Sequence, residues 1–249
     1  MDTTQPGRRN LTVVSLVGIS LIGLIVASML IFFTSATQDF PWRRPIISSI
    51  YALICVLGAV AVFFPKKCSQ IINPENWQTA SEILYKDSPL DLKRTTIMFG
   101  FKLTHGHHPN CERFYDHEFQ VGNKTFCAGC TGLLIGAFVS LVTVSAYFLS
   151  QAQLDSIAIP LIGFGLLTVL VGLLTPIFIA VRSTVRLAVN ALFILGMSLI
   201  LVGADTLLHN IQIDVYLISL DVLWLTTRIS LSQLSHERIC TSCAQKCIP

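Results

Sequence analysis

Four histidines and three cysteines fall within the twenty-six residues from His105 to Cys130: His105, His107, His108, Cys111, His117, Cys127 and Cys130. Imidazole nitrogens and thiolates are the ligands zinc requires, and thiolates also hold iron–sulfur clusters. Cys127 and Cys130 form a Cys-x-x-Cys pair that can present two sulfurs to one ion. Cys111 supplies a third ligand, and His107, His108 or His117 a fourth, as a tetrahedral site demands. His108 and Cys111 are three apart, so one turn holds both. A second cluster lies near the C-terminus: His236, Cys240, Cys243 and Cys247. His236 precedes Cys240 by one helical turn and completes a Cys₃His set. Alternatively, the three tail cysteines join the loop residues in one shared centre. The expected cofactor is Zn²⁺, with an iron–sulfur cluster as the alternative. Cys55 lies within an apolar run and reads as a small core residue.

A rival chemistry uses Cys127 and Cys130 as a thiol–disulfide pair. They stand just before an apolar helix, whose N-terminal dipole lowers a thiol pKa and exposes a reactive thiolate. Exchange with secreted proteins, however, belongs on the oxidising side of a membrane, and the charge pattern below places this pair on the other. No nucleophile–base arrangement, paired-carboxylate site or phosphate loop stands out, so the residues point away from an enzyme.

The elements that must position these groups are membrane helices. Hydrophobic residues make up 53% of the chain and charged residues 12%, about half the share usual in soluble domains. Mean hydropathy is +0.67. Five runs reach the ~20 residues that a bilayer core takes: Leu11 to Phe33, Ile46 to Phe64, Leu133 to Leu149, Ile157 to Ala180 and Leu187 to Leu208. The first is too long for a cleaved signal segment. A sixth run, Ile211 to Ile229, is weaker because it carries Asp214 and Asp221, each costing about 2.5–3.5 kcal/mol at mid-membrane. Asp214, Asp221 and Arg228 recur at intervals of seven and share one helical stripe, which faces either a bundle interior or water. The expected fold is an all-α polytopic bundle of five or six spans in a lipid bilayer.

Charge sets the expected orientation. With the N-terminus inside, Arg8, Arg9, Lys66, Lys67, Lys86, Lys93, Arg94, Lys102, Arg113, Lys124, Arg182 and Arg186 all fall on the cytoplasmic side, twelve of the 17 basic residues. Arg43 and Arg44 fall outside. A spanning sixth helix brings Arg228, Arg238 and Lys246 to the cytoplasmic side and both His/Cys clusters to one face. The net charge of +3 flanks apolar runs and calls for no nucleic acid.

The chain divides into residues 1–64, a two-helix membrane segment; 65–131, a His/Cys-rich cytoplasmic loop; 132–235, the remaining membrane helices; and 236–249, a Cys-rich tail. Within the loop, Asn73-Pro74-Glu75 and Ser88-Pro89-Leu90-Asp91 carry helix-start chemistry. They predict two short interfacial helices with Trp77 and Phe99 turned toward the membrane. Asp205 and His209, four apart, read as an interfacial ion pair. Arg182, Arg186 and Asn190 share a face that anchors the helix or meets an anionic group. Gly132, Gly136 and Ser140 form a small-residue ridge suited to close helix contact within the chain or to a homo-oligomer. Asn123-Lys124-Thr125 matches a glycosylation sequon.

The pattern His107-His108-Pro109-Asn110-Cys111, then Phe114 and His117, then Cys127-x-Gly129-Cys130-Thr131-Gly132, resembles a family of small polytopic prokaryotic membrane proteins of unknown function. The spacing of His236, Cys240, Cys243 and Cys247 is similar to the C-terminus of some members. Ala128 and Gly129 stand where members more often carry an arginine. The resemblance implies the membrane topology and importance for the Cys/His set, and brings no activity. The leading expectation is a metal-binding membrane protein in which one ion ties loop to tail. The alternatives are a transporter or metal-handling protein using Asp205, Asp214 and Asp221, and a thiol oxidoreductase using Cys127 and Cys130.

Overall fold

The computed structural model describes residues 5–37, 39–63, 95–98, 101–104, 112–150, 154–179 and 181–241. Among them run six long helices: α1 (Gln5–Phe33), α2 (Arg43–Phe63), α3 (Ala128–Ser150), α4 (Ala158–Phe178), α5 (Ser183–Leu208) and α6 (Ile211–Thr241). Each holds a span of 21 to 26 residues that is long and apolar enough to cross a membrane. At 1.5 Å rise per residue these lengths match the ~30 Å hydrocarbon core. The protein is a multi-pass integral membrane protein of all-α architecture. Large apolar side chains such as Leu11, Ile22, Phe138, Phe164 and Leu167 point outward, the expected pattern where lipid is the solvent.

Prolines mark the helix ends. Pro45 and Pro160 sit in the first turns of α2 and α4, where a missing N–H leaves no bond unmade. Pro176 lies in the last turn of α4, which stops two residues later. Five helices extend past the apolar runs that signal them. α1 begins at Gln5 rather than Leu11, α2 at Arg43 rather than Ile46, α3 at Ala128 rather than Leu133 and α5 at Ser183 rather than Leu187, and α6 continues past Ile229 to Thr241. Polar turns extend a helix wherever backbone hydrogen bonds continue, whether or not lipid covers them.

Helices already surrounded by lipid gain little from burying one another, so close backbone approach must hold them. α5 supplies the centre and is the most buried span, packed along α3 and α4. Its partners meet it through glycine. A Cβ on Gly132 would lie 2.4 Å from the Leu187 carbonyl oxygen, and one on Gly136 2.7 Å from that of Ala191. Ser140 donates to the Ile194 carbonyl at 3.2 Å. The Gly132/Gly136/Ser140 ridge therefore faces α5 of the same chain. On the other side of α5, Gly196 meets α4 at Gly165 and Thr168. The core between these helices is filled by Phe193, Ile162, Leu173, Ile200 and Leu201. Trp224 of α6 is fully buried and donates from Nε1 to the Ser20 carbonyl of α1 at 3.1 Å.

The polar segment before α3 contains structure that the helix-start signals do not announce. β1 (Thr95–Met98) pairs antiparallel with β2 (Phe101–Thr104). A 3₁₀ turn (Glu112–His117) leads into β3 (Glu118–Val121), which pairs with β4 (Lys124–Cys127). Gly122 and Asn123 make the two-residue connection, with Gly122 at φ 60° and no positive φ at Asn123, the type II′ pattern. The sequon at Asn123 thus lies on a hairpin tip. Phe119 and Phe126 face each other across the strands, ring centroids 5.7 Å apart. The expected helices at Asn73 and Ser88, with Trp77 and Phe99, lie outside the described residues.

Candidate functional site

Charged and hydrogen-bonding side chains line the interior of the bundle from one end to the other. At the end holding the α1–α2 connection, Arg43 occupies the first turn of α2 with 0% exposure. Its Nε donates to Asp39 Oδ1 at 2.7 Å. Its terminal nitrogen Nη1 donates to Asp214 Oδ2 of α6 at 2.7 Å and also to Asp205 Oδ1 of α5. The other Asp205 oxygen accepts from Tyr147 of α3 at 2.6 Å, and Thr206 donates to that tyrosine oxygen at 3.0 Å. One guanidinium thus gathers three carboxylates from three elements. Its hydrogen bond holds the carboxyl of Asp39, in the connection, below the usual aspartate range.

Two expectations change here. Asp205 does not pair with His209. That imidazole bonds through Nδ1 to the Asp205 carbonyl oxygen at 2.6 Å, where His209 ends α5 in the left-handed region at φ 49°. The carboxylate turns inward because Arg43 is there to neutralise it. Arg43, in turn, is no solvent-facing loop charge. Arg44 beside it stays partly exposed, its side chain at 23%.

Deeper in the bundle, Asp221 continues the stripe on α6 and is buried. Tyr51 of α2 lies near Ser140 of α3 and Ser198 of α5, within electrostatic range of Asp221. Cys55 lies in the same region, one turn along α2 from Tyr51, and is buried as expected of a core thiol. Asp221 Oδ2 has no hydrogen-bond partner among the described residues. Arg228, seven residues on, is also buried. The α6 stripe therefore faces the bundle interior, and the sixth helix is a span by length and composition.

The opposite end carries those of the sequence-predicted ligands that lie among the described residues. His117 closes the 3₁₀ turn and is buried, and its ring lies 5.1 Å from that of His236 on α6. Phe114 meets both rings edge-on, at 5.5 and 5.7 Å. Glu118 is the strand partner of Cys127, so Cys127 stands one register position from His117. Cys127 ends β4 and is buried, Cys130 lies in the first turn of α3, and neither forms a disulfide. The expected ligands His107, His108, Cys111, Cys243 and Cys247 lie outside the described residues. Cys240 lies on α6, one turn beyond His236. Among the described residues no three His, Cys, Asp or Glu side chains converge as a metal set. What the fold does bring together is one histidine from each cluster, 119 residues apart in sequence.

Sequence reasoning missed the Arg43 cluster as a unit. Its members are 162 and 171 residues apart in two of the contacts, and only the cost of Asp205 and Asp214 in a span hinted at a buried cation. Compared with family models, curated proteins and solved structures, the chain matches none of them.

Proposed function

We propose that this membrane protein carries a metal-binding head on its cytoplasmic face, with Zn²⁺ as the ion and an iron–sulfur cluster as the alternative. The observation that supports it is the meeting of His117 with His236, which joins the loop cluster to the tail cluster at one end of the bundle. Cys127 stands one register position from His117 and Cys130 lies in the first turn of α3, and Cys111, Cys240, Cys243 and Cys247 are close to these clusters in sequence. A bound ion would supply folding free energy, clamping loop to α6 where little apolar core is available. The cytoplasmic side rests on the sequence alone, in which the positive-inside rule puts twelve of the 17 basic residues on one side. A thiol-exchange role fits less well, since Cys127 is 4% exposed and exchange needs an accessible thiolate.

Elemental analysis and a visible spectrum of protein purified without chelator test this reading. Colourless protein with stoichiometric zinc is expected. His117→Ala or His236→Ala should each weaken zinc binding by about tenfold or more, at least what losing an outer-shell partner costs. Brown protein containing iron and labile sulfide would move the reading to a cluster. Metal-free protein with fully titratable thiols would remove it.

A second reading, ion movement through the bundle, draws on the burial of Asp205, Asp214 and Asp221 along one interior line. Ionisable groups in spans are costly, and they mark ion and proton paths. In proteoliposomes under an imposed potential, wild-type protein should then carry protons or cations, and Asp221→Asn should abolish the flux. Equal, background-level flux from both proteins would exclude transport.

A further inference from the structure

Two arginines lie in the bundle close to the His/Cys end with no hydrogen-bonded counter-ion among the described residues. Arg186 is in the first turn of α5 and Arg228 is on α6, and the two are within electrostatic range of each other. Arg228 is only 5% exposed. The Nε atoms of both are sealed from solvent and lack a hydrogen-bond partner among the described residues, and neither side chain forms an ion pair there. The groups within electrostatic range that oppose the charge of Arg186 are Cys127 and the exposed Asp116, neither of them hydrogen-bonded to its Nε. Asp221, two turns before Arg228, has its own oxygen unpaired and does not reach it.

Arg228 lies eight residues inside the end of its span, roughly 12 Å at helical rise. A guanidinium at such depth costs several kcal/mol unless it is neutralised, and a second like charge beside it raises the cost. At the Arg43 end the same chain answers one arginine with three carboxylates. Here, among the described residues, it offers two arginines and no bonded carboxylate. A third positive element adjoins them. The N-terminus of α3 packs on the first turns of α5, with Gly129 placed so that a Cβ would lie 3.7 Å from Asn190 Nδ2. Asn190 itself donates to the Arg186 carbonyl at 2.9 Å, one turn along the same face. The dipole of this 23-residue helix favours an anion there.

We propose that Arg186 and Arg228, with the α3 N-terminus, form a binding site for a phosphate-type oxyanion. Guanidinium forks engage planar or tetrahedral oxyanions through paired donors, which a spherical halide does not match. One phosphate-type anion between α5 and α6 would offset the charge of both arginines and occupy donors that are otherwise unmade. This inference does not depend on the metal reading.

The phosphate belongs either to a soluble anion or to a phospholipid headgroup, and two arms separate them. Inorganic phosphate is titrated calorimetrically into the full-length protein in phosphatidylcholine nanodiscs. In parallel, protein extracted from membranes containing phosphatidylglycerol is examined by native mass spectrometry. Phosphate binding that Arg228→Gln weakens at least tenfold identifies a soluble oxyanion. Retained phosphatidylglycerol that is lost in Arg228→Gln identifies a lipid phosphate. Arg182→Gln, at an exposed position on the same end, should change neither. Should Arg228→Gln not fold, Arg228→Lys, which keeps the charge but loses the fork, and Arg186→Gln carry the same comparison. Absence of both ligands from wild-type protein, or binding that survives these substitutions, overturns the proposal.

Discussion

Arg43→Met is expected to lower stability by about 3–5 kcal/mol, the cost of removing one partner from a buried ion pair. The methionine fills a comparable volume, so the loss would come from charge rather than from a void. Asp205 and Asp214 would be left facing each other in a dry interior, held only by Tyr147 and by each other's protons. Unfolding in mixed micelles, followed by titration with a denaturing detergent, gives the measurement. The diagnostic result is rescue. Arg43→Met combined with Asp205→Asn and Asp214→Asn should recover most of the loss, because removing the buried charges together, with only the partly exposed Asp39 left, can be nearly neutral where removing one is not. A single Arg43→Met variant that unfolds like wild type would show that the cluster contributes nothing.

Gly136→Ala should cost about 1–3 kcal/mol, and Gly132→Ala with Gly136→Ala together more, because the added methyls overpack the α3–α5 seam. The reason lies in what each Cβ would strike. Backbone carbonyls of Leu187 and Ala191 stand 2.4 and 2.7 Å away, and a carbonyl cannot rotate aside as a side chain can. The two helices would have to part, and the loosened seam would lose the Ser140 hydrogen bond to Ile194 as well. Gly18, Gly58 and Gly163 offer an internal control, since a Cβ at any of them meets nothing within 4 Å. Alanine there should be neutral or stabilising by about 0.5–1 kcal/mol through helix propensity alone. Equal behaviour of the two sets in a thermal-denaturation series would contradict the seam.

Much of this was legible in the residues. Apolar run length announced the spans, because lipid leaves the backbone no alternative to internal hydrogen bonding. The spacing of seven placed Asp214, Asp221 and Arg228 on one stripe, and their burial follows from the cost of turning that stripe to lipid. The Cys-x-x-Cys before α3 and the His236 tail were visible as clusters, and the fold joins one member of each. Other features were not legible. Asp205 and His209 match a helical ion pair by spacing, yet a cation 162 positions away took the carboxylate. Nothing local encodes that partner. The β3–β4 hairpin did carry a signal in Gly122-Asn123 between alternating residues, which a reading for metal ligands passes over. The paired arginines escaped notice because one sits on each of two helices whose register only packing fixes.

The tie between α1 and α6 bears on how the chain is made. Ser20 and Thr227 share a hydrogen bond of 2.8 Å across 207 residues, beside the Trp224 anchor. During synthesis α1 must wait in the bilayer, its Ser20 without this partner, until α6 has been translated. α6 is also the least apolar of the six spans, and its Asp214 would enter lipid poorly alone. By then α2 has already placed Arg43 at the bundle end where Asp214 arrives. Biogenesis is therefore ordered in time. The most polar of the six helices follows the other five, into an assembly that already holds its counter-charge, and its arrival closes the bundle against α1.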